Sequence, residues 1–107
     1  MSDFIDVPGV SGVHYRFQRA PDPNALPVIA GNFVFVRGEG PALTVVGVGT
    51  GETLTSARKR WAEAVSDYGA EALFVRRNVS RRSRQLEHRD IVEQVHPALE
   101  AAEDFGE

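Results

Sequence analysis

The residues best suited to chemistry in this 107-residue chain fall mostly in one stretch. Residues 76 to 89, RRNVSRRSRQLEHR, hold six of the 12 basic residues and a single acid, Glu87. Guanidinium forks match phosphate oxygens, and this density of them concentrates a positive field. Arg76, Arg77, Arg81, Arg82 and Arg84 are therefore candidate nucleic-acid contacts. The structural alternative is a solvated turn and helix start in a chain that uses Arg in place of Lys, 11 against one. No aromatic residue interleaves the block, which disfavours a single-strand stacking platform.

Two further groups bear on phosphate chemistry. The run Gly47-Val48-Gly49-Thr50-Gly51 falls between a strand pattern and a helix pattern, where backbone N–H groups converge on an anion. It lacks the third glycine of a dinucleotide loop, with Glu52 in that place, and the Lys of a Walker loop. Contact of Gly49 and Gly51 with a nucleic-acid phosphate is the better expectation. On the following helix, Arg58 lies about 60° from the centre of the apolar face and Arg60, a further candidate nucleic-acid contact, about 100° on the other side. Glu87 flanks a second apolar strip formed by Ile91, Val92 and Val95. Arg58 and Glu87 together offer an anion-binding cation and a metal-binding carboxylate, the minimum for metal-assisted phosphodiester chemistry. Structural ion pairs are the competing role for both. His14, His88 and His96 lack metal-ligand spacing, although His88 beside Glu87 is placed to carry a proton.

The elements that must position these residues follow from periodicity. Val13, Tyr15 and Phe17 alternate with polar residues as a half-buried strand does, GNFVFVR is apolar on both faces, and the turn GEGP leads to a second apolar run, LTVVGV. Leu54, Ala57, Trp61, Ala64, Val65 and Tyr68 are helically spaced, with Thr53 or Thr55 as the cap and Gly69 as the stop. AEALFVRR reads as a strand, and a second helix spans about 83 to 95, ended by Pro97. The order predicts an α+β domain with a three- to four-stranded mixed sheet and two or three helices. Residues 1–12 read as a flexible lead-in, 13–100 as the domain and 101–107 as an acidic tail.

Composition narrows the class. Without cysteine there is no disulfide scaffold, Cys-ligated zinc or thiol chemistry. The start has no basic and apolar leader pattern, and no stretch approaches the ~18 apolar residues of a membrane span, so a cytoplasmic protein without membrane association is expected. The net charge of −3 sums a +5 block at 76–89, a −5 segment at 93–107 and −3 elsewhere.

In order along the chain, these features resemble the GIY-YIG endonuclease domain. Gly31-Asn32-Phe33 stands for the first name motif, Val45-Val46-Gly47 for the second, and Gly51-Glu52-Thr53 for the Gly-Gln-Thr that often follows. Arg58, or alternatively Arg60, stands for the helix Arg, Glu87 with Ile91 for the Glu helix, and Pro97-Ala98-Leu99-Glu100 for the Pro-Pro-Leu-Asn end. The resemblance implies a nuclease fold, nucleic acid as partner with DNA expected, Arg58 and Glu87 as catalytic residues, and Mg²⁺ on Glu87 where the domain is active. Phe33, Val45 and Glu100 replace two tyrosines and an asparagine of the family pattern. A phenyl or isopropyl group transfers no proton, and losing such a group removes ~10²-fold or more of rate. Nucleic-acid binding with weak or absent cleavage is therefore the expected function. A catalytically dead interaction or homo-oligomerisation module, pairing the Arg-rich segment with acidic partners, is the alternative.

Overall fold

In the computed structural model, which describes residues 3–102, six strands form one mixed sheet in the order β1-β2-β5-β3-β4-β6. The strands are β1 Phe4–Pro8, β2 His14–Arg19, β3 Gly31–Arg37, β4 Thr44–Gly51, β5 Ala72–Arg77 and β6 Leu99–Ala102. Helix α1, Ser56–Tyr68, follows β4, and helix α2, Arg81–Val95, follows β5. All neighbouring strands are antiparallel except β4 and β6. The sheet is larger than the three or four strands expected. Residues 4–8 are not a loose lead-in but an edge strand, and Ala101 and Ala102 belong to β6 rather than to a tail. The remainder of the acidic tail, 103–107, lies outside the described residues.

Each side of the sheet has its own helix. β3 is buried on both faces because its side chains alternate between two cores. Phe33 and Phe35 join Leu54, Ala57, Ala64 and Leu73 on the α1 side. Val34 and Val36 join Val7, Phe17, Phe74 and Ile91 on the α2 side. The α1 helix stops where the sequence says it should: Gly69 takes φ 71° and its N–H bonds back to Ala64 and Val65. Thr55 is its N-cap by position, yet its side chain caps nothing and meets the Thr53 hydroxyl at 2.9 Å instead. At α2, the Ser80 hydroxyl accepts a hydrogen bond from the Ser83 N–H at 3.2 Å, an N-cap worth about 1 kcal/mol.

Register decides which ends of these elements meet. Gly31 pairs with Gly51 on one side and with Arg77 on the other. The last residues of β4 and β5 therefore lie at one end of the sheet, and both helices start there. β6 runs parallel to β4, so Ala102, opposite Thr50, ends there too.

Candidate nucleic-acid interface

The glycine run proves to be strand rather than loop. Gly47, Gly49 and Gly51 all lie in β4 and are buried. A Cβ on Gly47 would sit 2.6 Å from the Phe35 ring, and one on Gly49 would overlap the Phe33 ring. The glycines are there because two phenyl rings cross the strand on their way to α1, packed edge to face with centroids 5.5 Å apart. Gly49 is thus withdrawn as a phosphate contact, since its backbone is covered by the Phe33 ring, and Gly51, also buried, packs instead against the Ser56 side chain and the Thr53 carbonyl at the start of α1. The same packing places Phe33, at the first tyrosine position of the resemblance, fully inside the core. Val45 lies beside a bulge where the register steps from Phe35–Gly47 to Val36–Val45.

The arginine block divides. Alternation along β5 turns Arg76 to the α2 side and Arg77 to the other. The Arg76 Nε donates to Glu87 Oε1 at 2.9 Å, its Nη1 donates to the Arg16 carbonyl at 3.3 Å, and its guanidinium lies 5.5 Å from the Tyr15 ring centroid. Arg84 is also turned inward, with 3% of its surface exposed. Its Nη1 donates to the carbonyls of Asn78 and Val79 at 3.2 and 2.8 Å. Asn32, buried at the start of β3, donates to the Arg84 carbonyl at 3.0 Å and accepts from the Asn78 amide at 3.1 Å. Arg84 therefore holds the loop that launches α2 and is no phosphate contact. Arg77, Arg81 and Arg82 are exposed. On α1, Arg58 and Lys59 are exposed beside Thr55, and Arg60 is held by Glu63 at 2.9 Å.

Arg58 and Glu87 do not converge. They stand on helices packed against opposite faces of the sheet, so the pair expected to share one phosphate is separated by the central strands. Glu87 instead belongs to a polar cluster on the α2 side with Arg76, Tyr15 and Asp90. The Tyr15 hydroxyl donates to Asp90 Oδ2 at 2.6 Å, and the Ser11 N–H and hydroxyl donate to the same carboxylate at 2.9 and 2.6 Å. These bonds hold the Asp90 carboxyl below its usual range, the Ser11 side chain contributing most and Tyr15 next. Burial first, then the bond to Asp90, pushes the Tyr15 phenol up to about 12. Tyr15 thus keeps its proton and is poorly suited to act as a base near neutral pH. His88, one residue from Glu87, faces the other way: it is fully buried and meets Glu100 Oε2 at 2.7 Å. It tethers α2 to β6 and is not positioned as a proton carrier for Glu87.

Sequence reasoning missed Asp90, Asn32 and Asn78 as organising residues. Nothing in their immediate neighbours marks them, because their partners lie 46 to 79 positions away. Tyr15 was visible only as the inward position of an alternating strand.

The sequence matches no protein-family model and no curated protein. Solved structures share its fold. The GIY-YIG N-terminal endonuclease domain of UvrC from Thermotoga maritima, as a tyrosine-to-phenylalanine mutant bound to the catalytic divalent cation, gives a TM-score of 0.56 at 13% identity. The match covers 71% of this chain and 87% of that one. An asparagine-to-alanine mutant of the same domain, also bound to its catalytic divalent cation, matches with TM-score 0.56 and 12% identity over the same shares. The chain therefore has a GIY-YIG-like α+β fold.

The divalent cation of those structures has no ready counterpart among these residues. Glu87, the carboxylate the resemblance nominates, already accepts from Arg76 at 2.9 Å, and a cation would have to displace that guanidinium. No group of three or more His, Asp or Glu side chains gathers as a metal site among the described residues. Mg²⁺ keeps most of its ligands as water and needs only one or two carboxylates, so a cation on Glu87 would compete with Arg76 for that carboxylate. Among the described residues, no helix is long and apolar enough to cross a membrane.

Proposed function

We propose that this domain binds nucleic acid, DNA in the first instance, through the sheet end from which both helices start, and that it cleaves phosphodiesters weakly or not at all. One observation carries the proposal: because Gly31 pairs with both Gly51 and Arg77, Arg58 and Lys59 at the start of α1 come to the same end of the sheet as Arg77, Arg81 and Arg82. Positive side chains scattered over 25 positions of sequence then act on one polyanion, which is how an acidic protein presents a basic face. The GIY-YIG-like fold is consistent with this use of the domain. Weak or absent cleavage follows from Phe33 in the core, from the separation of Arg58 and Glu87, and from the Arg76–Glu87 ion pair.

Fluorescence anisotropy with labelled duplex, branched and single-stranded DNA tests the binding. Affinity is expected to fall linearly with salt on logarithmic axes, and the double variant Arg81→Ala/Arg82→Ala should lower the slope by about 1 to 2. Failure of every probe to bind at about 50 mM salt, where backbone contacts are strongest, overturns the proposal. Plasmid nicking in Mg²⁺ or Mn²⁺ by the wild type and Glu87→Ala tests the chemistry. Nicking that is vigorous and lost in the variant would show that a cation does displace Arg76 from Glu87.

A further inference from the structure

The outer face of α2 carries the basic end of the sheet onward along the helix. At about 100° per residue, Arg82, Leu86, Arg89 and Glu93 fall within an arc of about 60°, and that arc lies opposite the buried Arg84, His88 and Ile91. All four are exposed, and Leu86 keeps 56% of its surface in solvent. We propose that the first half of this stripe, Arg82 to Arg89, enters the major groove of a DNA duplex, which rests on the nucleic-acid reading above and adds a base preference to it. The acids flanking the stretch are already engaged, Glu87 by Arg76 and Asp90 by Ser11 and Tyr15.

Size, position and composition favour a groove over another occupant. A helix with its side chains is about 10–12 Å across, and the major groove of B-DNA is about 12 Å wide. Because α2 starts at the proposed interface, beside Arg77, its first turns lead, and helices that read base edges commonly do so with their N-terminal residues. One leucine between two arginines offers little apolar surface to a protein partner, whose stable interface covers about 800 Å² on each side. Each of the three has a counterpart on DNA: an arginine fork bonds guanine O6 and N7, and an aliphatic side chain meets the thymine methyl group. Arg82 and Arg89 are about 10 Å apart along the helix axis, the rise of three base pairs at about 3.4 Å each. The stripe therefore reads about three base pairs, a thymine at Leu86 with guanine beside it. Glu93, one turn beyond Arg89, ends the stretch, since phosphates repel a carboxylate.

The test selects duplexes randomised over a short central window with the full chain, then measures affinity for the selected duplex by anisotropy. Thymine beside guanine should be enriched. Replacing thymine by uracil in the selected duplex removes only the C5 methyl group and should weaken binding about fourfold, the worth of one buried methyl. Leu86→Ala should bind the thymine and uracil duplexes equally, and Arg89→Ala should lose the guanine enrichment while keeping the thymine one. Thermal melting of both variants establishes that they fold. A selected pool with no base preference, or a uracil effect that survives Leu86→Ala, overturns the groove reading, while salt-dependent binding of any duplex leaves the interface standing. Self-association of the chain that Leu86→Ala abolishes assigns the stripe to a second copy and also overturns the groove. Failure to bind any duplex overturns both readings.

Discussion

Arg76 and Arg77 are neighbours in the chain and lie on opposite faces of the sheet, one bonded to Glu87 beneath α2 and the other exposed at the mouth of a cleft on the far side. Six arginines in 14 residues look alike in sequence, and this alternation sorts them into supports and contacts. Arg76→Ala should cost about 1 to 3 kcal/mol of stability, since it removes an ion pair, a carbonyl bond and a ring contact from a half-buried site. Arg77→Ala should leave stability within about 0.5 kcal/mol and lower the salt slope of DNA binding by about 1. Urea unfolding and salt titration of both variants would separate the roles. A fall in salt slope for Arg76→Ala equal to that of Arg77→Ala would contradict the division.

The fit of Phe33 against Gly49 makes a volume prediction. Gly49→Ala places a methyl group where the Phe33 ring lies, and overpacking of a filled core costs typically about 1 to 3 kcal/mol. Phe33→Ala alone should cost about 3 to 5 kcal/mol through lost burial and a cavity. Because the two changes share one space, the double variant should be more stable than the sum of the single effects, by more than about 0.5 kcal/mol. Additive denaturation midpoints would mean that the ring and the glycine do not share that space.

Tyr15 and Asp90 set a pH window. The Asp90 carboxyl is held below its ordinary value in the folded chain, so its contribution is present above about pH 4 and disappears as pH falls through the folded value. The Tyr15 phenol is raised from 10.0 to about 12, so its contribution is present below pH 10 and disappears as pH climbs toward 12. Absorbance titration should therefore show one phenol ionising near 12. Asp90→Asn should bring that phenol part of the way back toward 10.0, because burial remains its largest cause. Return of the whole shift would assign the effect to Asp90 alone.

The start of α2 predicts a contrast between two polar residues four positions apart. Ser80→Ala should cost about 1 kcal/mol by uncovering one N–H at the helix terminus. Arg84→Met should cost more, about 2 to 3 kcal/mol, because the carbonyls of Asn78 and Val79 lose a charged donor inside the fold. Neither change should alter the salt slope of DNA binding once the variant is folded. A reduced slope for Arg84→Met would return that residue to the contact surface.

Much of the fold was legible because its signals are local. Alternation in Tyr15 and Phe17, the double-faced run from Phe33 to Val36, the helical spacing of Leu54 to Tyr68 and the stop at Gly69 are all patterns of residue type that repeat within a few positions. The two edge strands were not legible. Phe4–Pro8 is short and ends in proline, and Leu99–Ala102 is rich in alanine, which has little preference for strands. Each becomes a strand because an existing strand offers it unpaired backbone groups, β2 in one case and β4 in the other. Gly47 and Gly49 misled in the opposite direction: glycines usually mark loops, and these two mark the passage of two phenyl rings.

By itself the sequence determined the α+β class, the two helices, the central hairpin and the presence of a strongly basic segment in an acidic chain, since residue type and spacing act over a few positions. Only the tertiary structure decided which arginines face solvent, that Arg58 and Glu87 stand on opposite sides, and that two distant helix starts share one end of the sheet. Those outcomes depend on strand register, where moving one residue along a strand exchanges one face for the other. At Gly31 register is set by partners 20 and 46 positions away, and no short window of sequence contains them both.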